Sequence, residues 1–165
     1  MAELDYWEIK SRIELILESN SGLYNTSNTD GTKLIMIETG APNVNDMEQK
    51  LPALYITNDD IFDSEIPPWN VSSNSGNTFE HDLTFLLIFA VAEVSPRRAE
   101  EILDDMTKTI KEVIKGNYNL QHPTNDNDPK VAQSYIESVG IMNPSISKNN
   151  QTSGRVMRLR CVAFT

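Results

Sequence analysis

The sequence has little of several things that small domains use for stability or chemistry. It contains one cysteine, Cys161, and two histidines, His81 and His122, among 165 residues. A single cysteine excludes a disulfide within the chain, and a chain of this length buries enough surface to fold without one. Cys161 stands in an apolar run, where we expect a buried free thiol. We therefore predict a single domain, residues 1–165, built on an ordinary apolar core.

Long apolar runs and basic character are also missing. No apolar run reaches the roughly 20 residues that cross a bilayer. The acidic start, MAELDYWEIK, lacks the basic and apolar parts of a secretion signal, so we expect a soluble protein made in the cytoplasm. Acidic residues outnumber basic ones by 24 to 14, which gives a formal net charge of −10. Such a chain gains nothing from the counterion release that drives binding to phosphate backbones, so specific nucleic-acid binding is not expected.

Motifs for catalysis or cofactor binding are not found. His81 lies on the predicted core face of a strand, where we expect a hydrogen-bonded structural histidine, and His122 precedes a proline in a polar loop. Residues 126–128 (DND) begin like a calcium-binding loop, but Pro129 and Lys130 follow where an oxygen donor and a glycine are required. The seven glycines form no phosphate-binding loop after a strand. We therefore predict that the protein is not an enzyme and has no catalytic residues, no cofactor and no metal.

The longest apolar run leads directly into the clearest helical pattern. Residues 79–94 (FEHDLTFLLIFAVAEV) alternate as a strand, and residues 97–116 (RRAEEILDDMTKTIKEVIKG) repeat apolar side chains at helical spacing. A Ser-Pro pair precedes this helix and a glycine ends it, as is typical of helix termini. One face of the strand is apolar nearly throughout, whereas the other is apolar only after Thr84. We expect that second face to be covered by helices or by a neighbouring subunit.

Shorter patterns complete the predicted fold. An amphipathic helix is predicted at residues 4–19. Further strands are predicted at residues 34–38, 53–57, 135–142 and 155–164. The fold class is therefore α/β (α+β), with a single mixed, mainly antiparallel sheet of about five strands packed against two helices and with long loops between strands.

The largest irregular segment is predicted at residues 58–77 (NDDIFDSEIPPWNVSSNSGN). Loops longer than about 12–15 residues are uncommon in compact domains and are often functional. This segment contains Phe62 and Trp69, and a flexible linker does not normally hold so many apolar side chains. Either the loop folds back over its own core, or it is an extended arm that buries Phe62 and Trp69 against another subunit.

Three arginines, Arg155, Arg158 and Arg160, form a basic patch near the end of an otherwise acidic chain. Arg158 and Arg160 share one face of the predicted last strand, because side chains alternate along a strand. They are either solvated, paired with acids of the same chain, or in contact with acidic residues of the next copy. Together with Phe62 and Trp69, Arg158 and Arg160 are the candidate subunit-interface residues.

Several segments, taken in order, resemble the tail terminator, or tail-completion, proteins of tailed viruses. They are an initial helix (DYWEIKSRIELIL), a strand opening with Leu-Pro (KLPALYI), a long strand with a charged entry (FEHDLTFLLIFAV), the helix after it (AEEILDDMTKTIKEVI) and a final strand (RVMRLRCVAF). The resemblance spans nearly the whole chain. It lies in the order of the elements and in the general character of their residues, so it assigns no role to an individual residue.

The resemblance implies a structural protein of the virion tail or neck. Such proteins form a ring, usually hexameric, that caps the tail tube, stops its polymerisation and joins the tail to the neck beneath the capsid. The implied partners are further copies of the chain, a tail tube protein and a neck or head-completion protein; DNA passes through the lumen without specific binding, and no membrane is involved. Two alternatives stay open: another neck or head-closure connector, and a cellular α/β domain that binds a small ligand or acts as an enzyme without obvious motifs.

Overall fold

The computed structural model describes residues 4–40, 51–67, 79–92, 95–124, 128–146 and 151–165. Along the chain the elements are α1 (Tyr6–Glu18), β1 (Met36–Thr39), β2 (Ala53–Ile66), β3 (Glu80–Ala92), α2 (Pro96–Gly116), β4 (Gln133–Ile146) and β5 (Gln151–Phe164). The five strands form one sheet in the order β1-β2-β3-β5-β4. β1 is parallel to β2, and the other neighbouring strands are antiparallel. The predicted α+β class, with one mixed sheet and two helices, is confirmed.

Helix α2 forms where local sequence signals agree. The Ser95 side chain accepts a hydrogen bond from the Arg98 backbone N–H at 3.4 Å, and Pro96 occupies the first turn, where its missing N–H leaves no bond unmade. The buried side chains are those that recur at helical spacing in the sequence: Ala99, Ile102, Leu103, Met106, Ile110, Val113 and Ile114. This stripe faces the sheet along the full length of the helix.

Both helices pack on the same face of the sheet. Fully burying a Leu, Ile or Phe side chain contributes about 1.5–3 kcal/mol, so the helices lie on the face that is apolar from end to end. Helices and a neighbouring subunit were the two covers expected for the second face of the long strand. Among the described residues no helix lies there, and cover by a subunit stays a prediction. The side chains that meet in this core include Ile13 and Leu17 of α1, Leu103 and Ile110 of α2, and Leu83, Phe85, Leu87 and Phe89 of β3.

Strand β2 is longer than the sequence predicts, and this corrects part of the irregular segment predicted at residues 58–77. Pairing with β3 continues as far as Ile66, opposite Glu80, after a register shift between Asn58 and Asp63. The entry of β3, which contains Glu80, His81 and Asp82, is itself polar, so a polar partner strand can pair with it. Residues 58–66 therefore belong to the sheet. Trp69 lies outside the described residues.

Strands β4 and β5 also extend beyond their predicted ends, and β5 passes very close to β3 at Gly154. A Cβ at this position would lie 2.8 Å from the Phe89 carbonyl oxygen and 3.4 Å from the Ala90 Cβ, and it would also meet the end of the Met142 side chain. The backbone of Phe89 cannot move away without disturbing its own core side chain. Close packing therefore requires glycine here.

We expect Gly154→Ala to lower the free energy of unfolding by about 1–3 kcal/mol, because the added methyl group pushes on the Phe89 backbone. Urea denaturation measures this. Gly140→Ala is the matched control, since a Cβ at Gly140 meets nothing closer than the Val156 carbonyl oxygen at 3.8 Å. Gly140→Ala should be neutral or slightly stabilising. Equal destabilisation by both variants would contradict the close approach at Gly154.

Candidate functional site

One face of the sheet has no helix over it, and we call it the open face. It carries the side chains of β3 and β5 that point away from the core, with Leu86 opposite Arg158 and Ile88 opposite Val156. Leu86, Ile88 and Val156 are half-buried. A contiguous apolar area of this kind on a soluble protein commonly marks a binding surface.

One end of the open face is closed by the chain itself. Ala53, Tyr55 and Ala90 are buried there, at 0%, 4% and 0% exposure. The side chains of Met36, Leu51 and Met142 pack against them. The remaining part of the open face, around Leu86 and Ile88, is flanked by charged groups instead.

The predicted arginine patch is divided between the two faces of the sheet. Arg155 lies on the helix side, where its Nη2 is 2.5 Å from Glu100 Oε2 and 3.4 Å from Asp104 Oδ1 on α2. Arg155 is 7% exposed, so this ion pair joins α2 to β5 at a nearly buried position. The basic patch expected from the sequence is therefore not one continuous surface.

Arg158 and Arg160 lie on the open face, as the alternation predicts, and both pair with acids of the same chain. Arg158 Nε is 3.1 Å from Asp59 Oδ2. Arg160 bonds Asp82 on β3 through Nε, at 3.2 Å, and through Nη2, and it reaches Glu137 Oε1 on β4 at 3.2 Å. These contacts favour the reading in which the arginines neutralise acids of their own chain. A contact with the next copy stays a prediction.

Phe62 lies on the irregular part of β2 and contacts its own chain. Its ring packs edge-on against the ring of Tyr6 in α1, with centroids 5.1 Å apart and an interplanar angle of 88°. Phe62 is half-buried. This position agrees with a segment folded back over its own core. A role for Phe62 or Trp69 between subunits is untested by the geometry of a single chain.

A buried chain of polar groups joins four parts of the fold beside Phe62. The Tyr6 hydroxyl donates a hydrogen bond to Asp63 Oδ2, and His81 Nδ1 lies 2.9 Å from Asp63 Oδ1. His81 Nε2 lies 2.9 Å from Thr165 Oγ1. Because the carboxylate can only accept, Nδ1 carries the proton and Nε2 accepts from the threonine hydroxyl when the ring is neutral. The prediction of a hydrogen-bonded core histidine is confirmed, with His81 only 5% exposed.

The sequence of hydroxyl, imidazole and carboxylate in this chain also occurs in hydrolases, where the hydroxyl faces a substrate cleft with an oxyanion-binding site. Of two cavities on the described surface, one is lined by Tyr6, and neither is lined by Asp63, His81 or Thr165. We interpret the arrangement as a structural hydrogen-bond network. It holds the start of α1 and the end of β5 to neighbouring residues of β2 and β3.

A second cluster fastens α1 to the connection between α2 and β4. Arg12, 8% exposed, donates from Nη1 to the backbone carbonyl oxygens of Leu120 at 3.2 Å and Asp128 at 2.6 Å. Its Nη2 lies 2.7 Å from Asp128 Oδ2. The Arg12 hydrogen bond lowers the pKa of Asp128. Asp128, which the sequence places in a calcium-like motif, is therefore used to hold an arginine.

A shallow cavity of about 340 Å³ lies between the C-terminal ends of α1 and α2. It is open to solvent and mixes polar and apolar groups. The residues that line it are Ile16, Ser19, Asn20, Thr109, Glu112, Val113, Asn117 and Pro123. No local pattern in the sequence indicates this cavity, since its walls lie at and beyond the ends of two helices that are far apart along the chain.

The described residues also bear on metal binding and on membrane insertion. No group of three or more His, Cys, Asp or Glu side chains in that part of the chain could hold a metal ion. Over the same ranges, no helix is long and apolar enough to span a membrane. Cys161 is fully buried, as predicted, and burial raises the pKa of its thiol to about 12.

No protein-family model matches the chain, and no curated protein matches it either.

We expect the hydrogen bond of Tyr6 to contribute stability that depends on pH. The bond to Asp63 is the main cause that raises the pKa of Tyr6 from 10.0 to about 12. The contribution is therefore fully present below pH 10 and is lost as the pH rises toward 12, because the unfolded chain releases the phenol proton first. Tyr6→Phe should lower the free energy of unfolding by about 1 kcal/mol at pH 8.

Urea denaturation at several pH values measures the difference between the parent and Tyr6→Phe, which should shrink above pH 10. Tyr118→Phe is the control, because Tyr118 is 57% exposed and the change should have little effect at any pH. A Tyr6→Phe difference that stays constant from pH 8 to pH 11 would show that the phenol proton is not held by Asp63.

We expect Arg160→Met to destabilise the folded chain without changing its association state. Removing the guanidinium leaves Asp82 and Glu137 close together without their shared partner, at a cost of about 1–2 kcal/mol. Arg97→Met is the control, since the Arg97 side chain is 91% exposed and its ion pair with Glu101 should contribute almost nothing. Denaturation and light scattering measure the two properties. A changed mass with unchanged stability would favour the inter-subunit role of Arg160.

Proposed function

We propose that this chain is a structural protein of a virion, which forms a ring that caps the tail tube, stops its polymerisation and joins the tail to the neck. The observation that carries the proposal is the open face. Both helices lie on the opposite side of the sheet, yet Leu86, Ile88 and Val156 on the open face are apolar and only half-buried. A subunit of this shape is suited to having its open face covered by another protein.

The proposed assembly is made of identical subunits. Most soluble assemblies are symmetric homo-oligomers, and head-to-tail contacts between identical subunits close into rings when the rotation permits. The core itself does not need a partner, because α1, α2 and the inner face of the sheet already form one cluster. Association therefore adds to a folded subunit instead of creating it.

The charge of the chain supports the second part of the proposal. A net charge of −10 disfavours attachment to a phosphate backbone, which suits a lumen through which DNA must pass without sticking. The ion pairs of Arg158 and Arg160 use the basic groups of the open face inside the subunit. Two basic groups that could hold DNA are thereby already occupied.

Two further functions remain as alternatives. Another neck or head-closure connector would use the open face in the same way, and it differs in lacking any effect on tube growth. A small-ligand-binding domain is favoured by one observation, the cavity between α1 and α2, whose volume of about 340 Å³ falls within the usual range for such sites.

Assembly and tube growth together test the proposal. We expect the purified chain to form a ring with a central pore in negative-stain images, and a multiple of its 18.6 kDa mass in light scattering. When added to a polymerising tube protein encoded beside it, the ring should shorten the tubes and appear at one end. A ring without any effect on tubes would favour the connector. A monomer at tens of micromolar would overturn both virion functions.

A further inference from the structure

Strand β4 forms a long edge of the sheet. It contains 14 residues and pairs with β5 alone among the described strands, so one side of its backbone has no strand partner there. The opposite edge is β1, with four residues. A row of unpaired N–H and C=O groups readily pairs with a strand from another chain.

Edge strands are usually protected by charges, by proline or by irregular pairing, and β4 has such protection only in part. Register shifts interrupt it between Ile136 and Ser138 and again between Met142 and Ser145. Between them, residues 138–142 pair regularly with β5 from Arg158 to Gly154. This run, which we call the β4 edge, contains no charged residue (SVGIM).

The β4 edge also exposes a large apolar side chain. Ile141 is 75% exposed, the most of any large apolar residue among those described. Glu137, the acid nearest to the β4 edge in sequence, is paired with Arg160 at 3.2 Å. Its charge is therefore partly neutralised and protects the edge less. An uncharged, regular and apolar edge of this kind associates with other strands unless something covers it.

We propose that the β4 edge pairs with strand β1 of a second copy, an inference that rests on the proposed ring and names the surface through which its copies meet. The choice of a second copy follows from the sheet itself, which ends in two different edge strands, β4 on one side and β1 on the other. The uncharged β4 edge adds no repulsion of its own between copies that each carry a net charge of −10.

The strand directions are compatible with β1 as the partner. β4 runs parallel to β3, since both are antiparallel to β5, and β1 runs opposite to β3, since β1 is parallel to β2. Placing β1 of the next copy beside β4 therefore continues the sheet with an antiparallel pair. The four residues of β1 are one fewer than the five of the β4 edge. Because the two surfaces differ, the contact is head-to-tail and can close a ring.

Ile141→Lys tests this pairing, with Ile61→Lys as the matched control. Both isoleucines are exposed to nearly the same degree, 75% and 74%, but Ile61 lies in the irregular part of β2, away from β4. We expect Ile141→Lys to weaken association at least tenfold and Ile61→Lys to leave it unchanged, as measured by light scattering over a dilution series. Thermal denaturation should show the same stability for both, because each change is on the surface.

Each outcome separates the inference from the proposed function. If the parent and Ile141→Lys form the same ring, the proposed ring stands and the proposed pairing through the β4 edge is wrong. If the parent forms an assembly that is not a ring and Ile141→Lys abolishes it, the pairing through the β4 edge stands and the proposed ring is wrong. A parent that stays monomeric overturns both.

Crosslinking identifies which strand meets β4. Glu38 of β1 and Ser138 of β4 are both exposed on the open face, and native Cys161 is fully buried and should not react. The double variant Glu38→Cys, Ser138→Cys should form a ladder of linked subunits with a short bismaleimide, while each single variant should not. Efficient dimers from Ser138→Cys alone would show that β4 pairs with β4 and would overturn the choice of β1.

Discussion

The burial of one face of β3 under two helices is the constraint on which the rest of the structure depends. β3 is hydrogen-bonded on both sides, to β2 and β5, so its backbone is satisfied within the sheet and its side chains decide what covers it. Leu83, Phe85, Leu87 and Phe89 are all fully buried on the helix side. On the opposite face, Leu86 and Ile88 follow one another as apolar positions, whereas Arg158 beside Leu86 and Asp82 nearer the start of the strand carry charge. A sheet with helices on one face only forms a two-layer fold, and among the described residues its partly apolar second face has no helix over it.

The elements that could be predicted from the sequence are those whose signals are local. The cap, the apolar stripe and the end of α2 lie within some twenty residues, and the helix follows them closely. The second half of β2 could not be predicted in this way. Its sequence, NDDIFDSEI, lacks a strand's alternation, and it becomes strand because β3 offers backbone partners to it. Strand pairing of this kind depends on a segment farther along the chain, which is why propensity is a weaker guide to sheets than to helices.

The polar sites show the same limit. Alternation along β3 was enough to place His81 in the core, but its partners Asp63 and Thr165 lie 18 and 84 residues away along the chain. The arginines are a similar case, since the sequence shows a basic patch but not its partners. Register places Arg160 opposite Thr84 on β3, one step along the same face from Asp82, and next to Tyr135 on β4. Only the fold reveals that the patch is largely neutralised within the subunit.

The β4 edge differs from an extended arm in the entropy that association costs. An arm that orders on binding loses backbone freedom of about 1–2 kcal/mol for each residue it fixes. The β4 edge is already held by its pairing with β5, so a partner strand meets preformed donors and acceptors. The sequence does contain its signal, an uncharged strand in a chain in which 23% of the residues are charged. That signal becomes meaningful once the strand order places β4 at the edge, because the same residues in the middle of the sheet would simply be core.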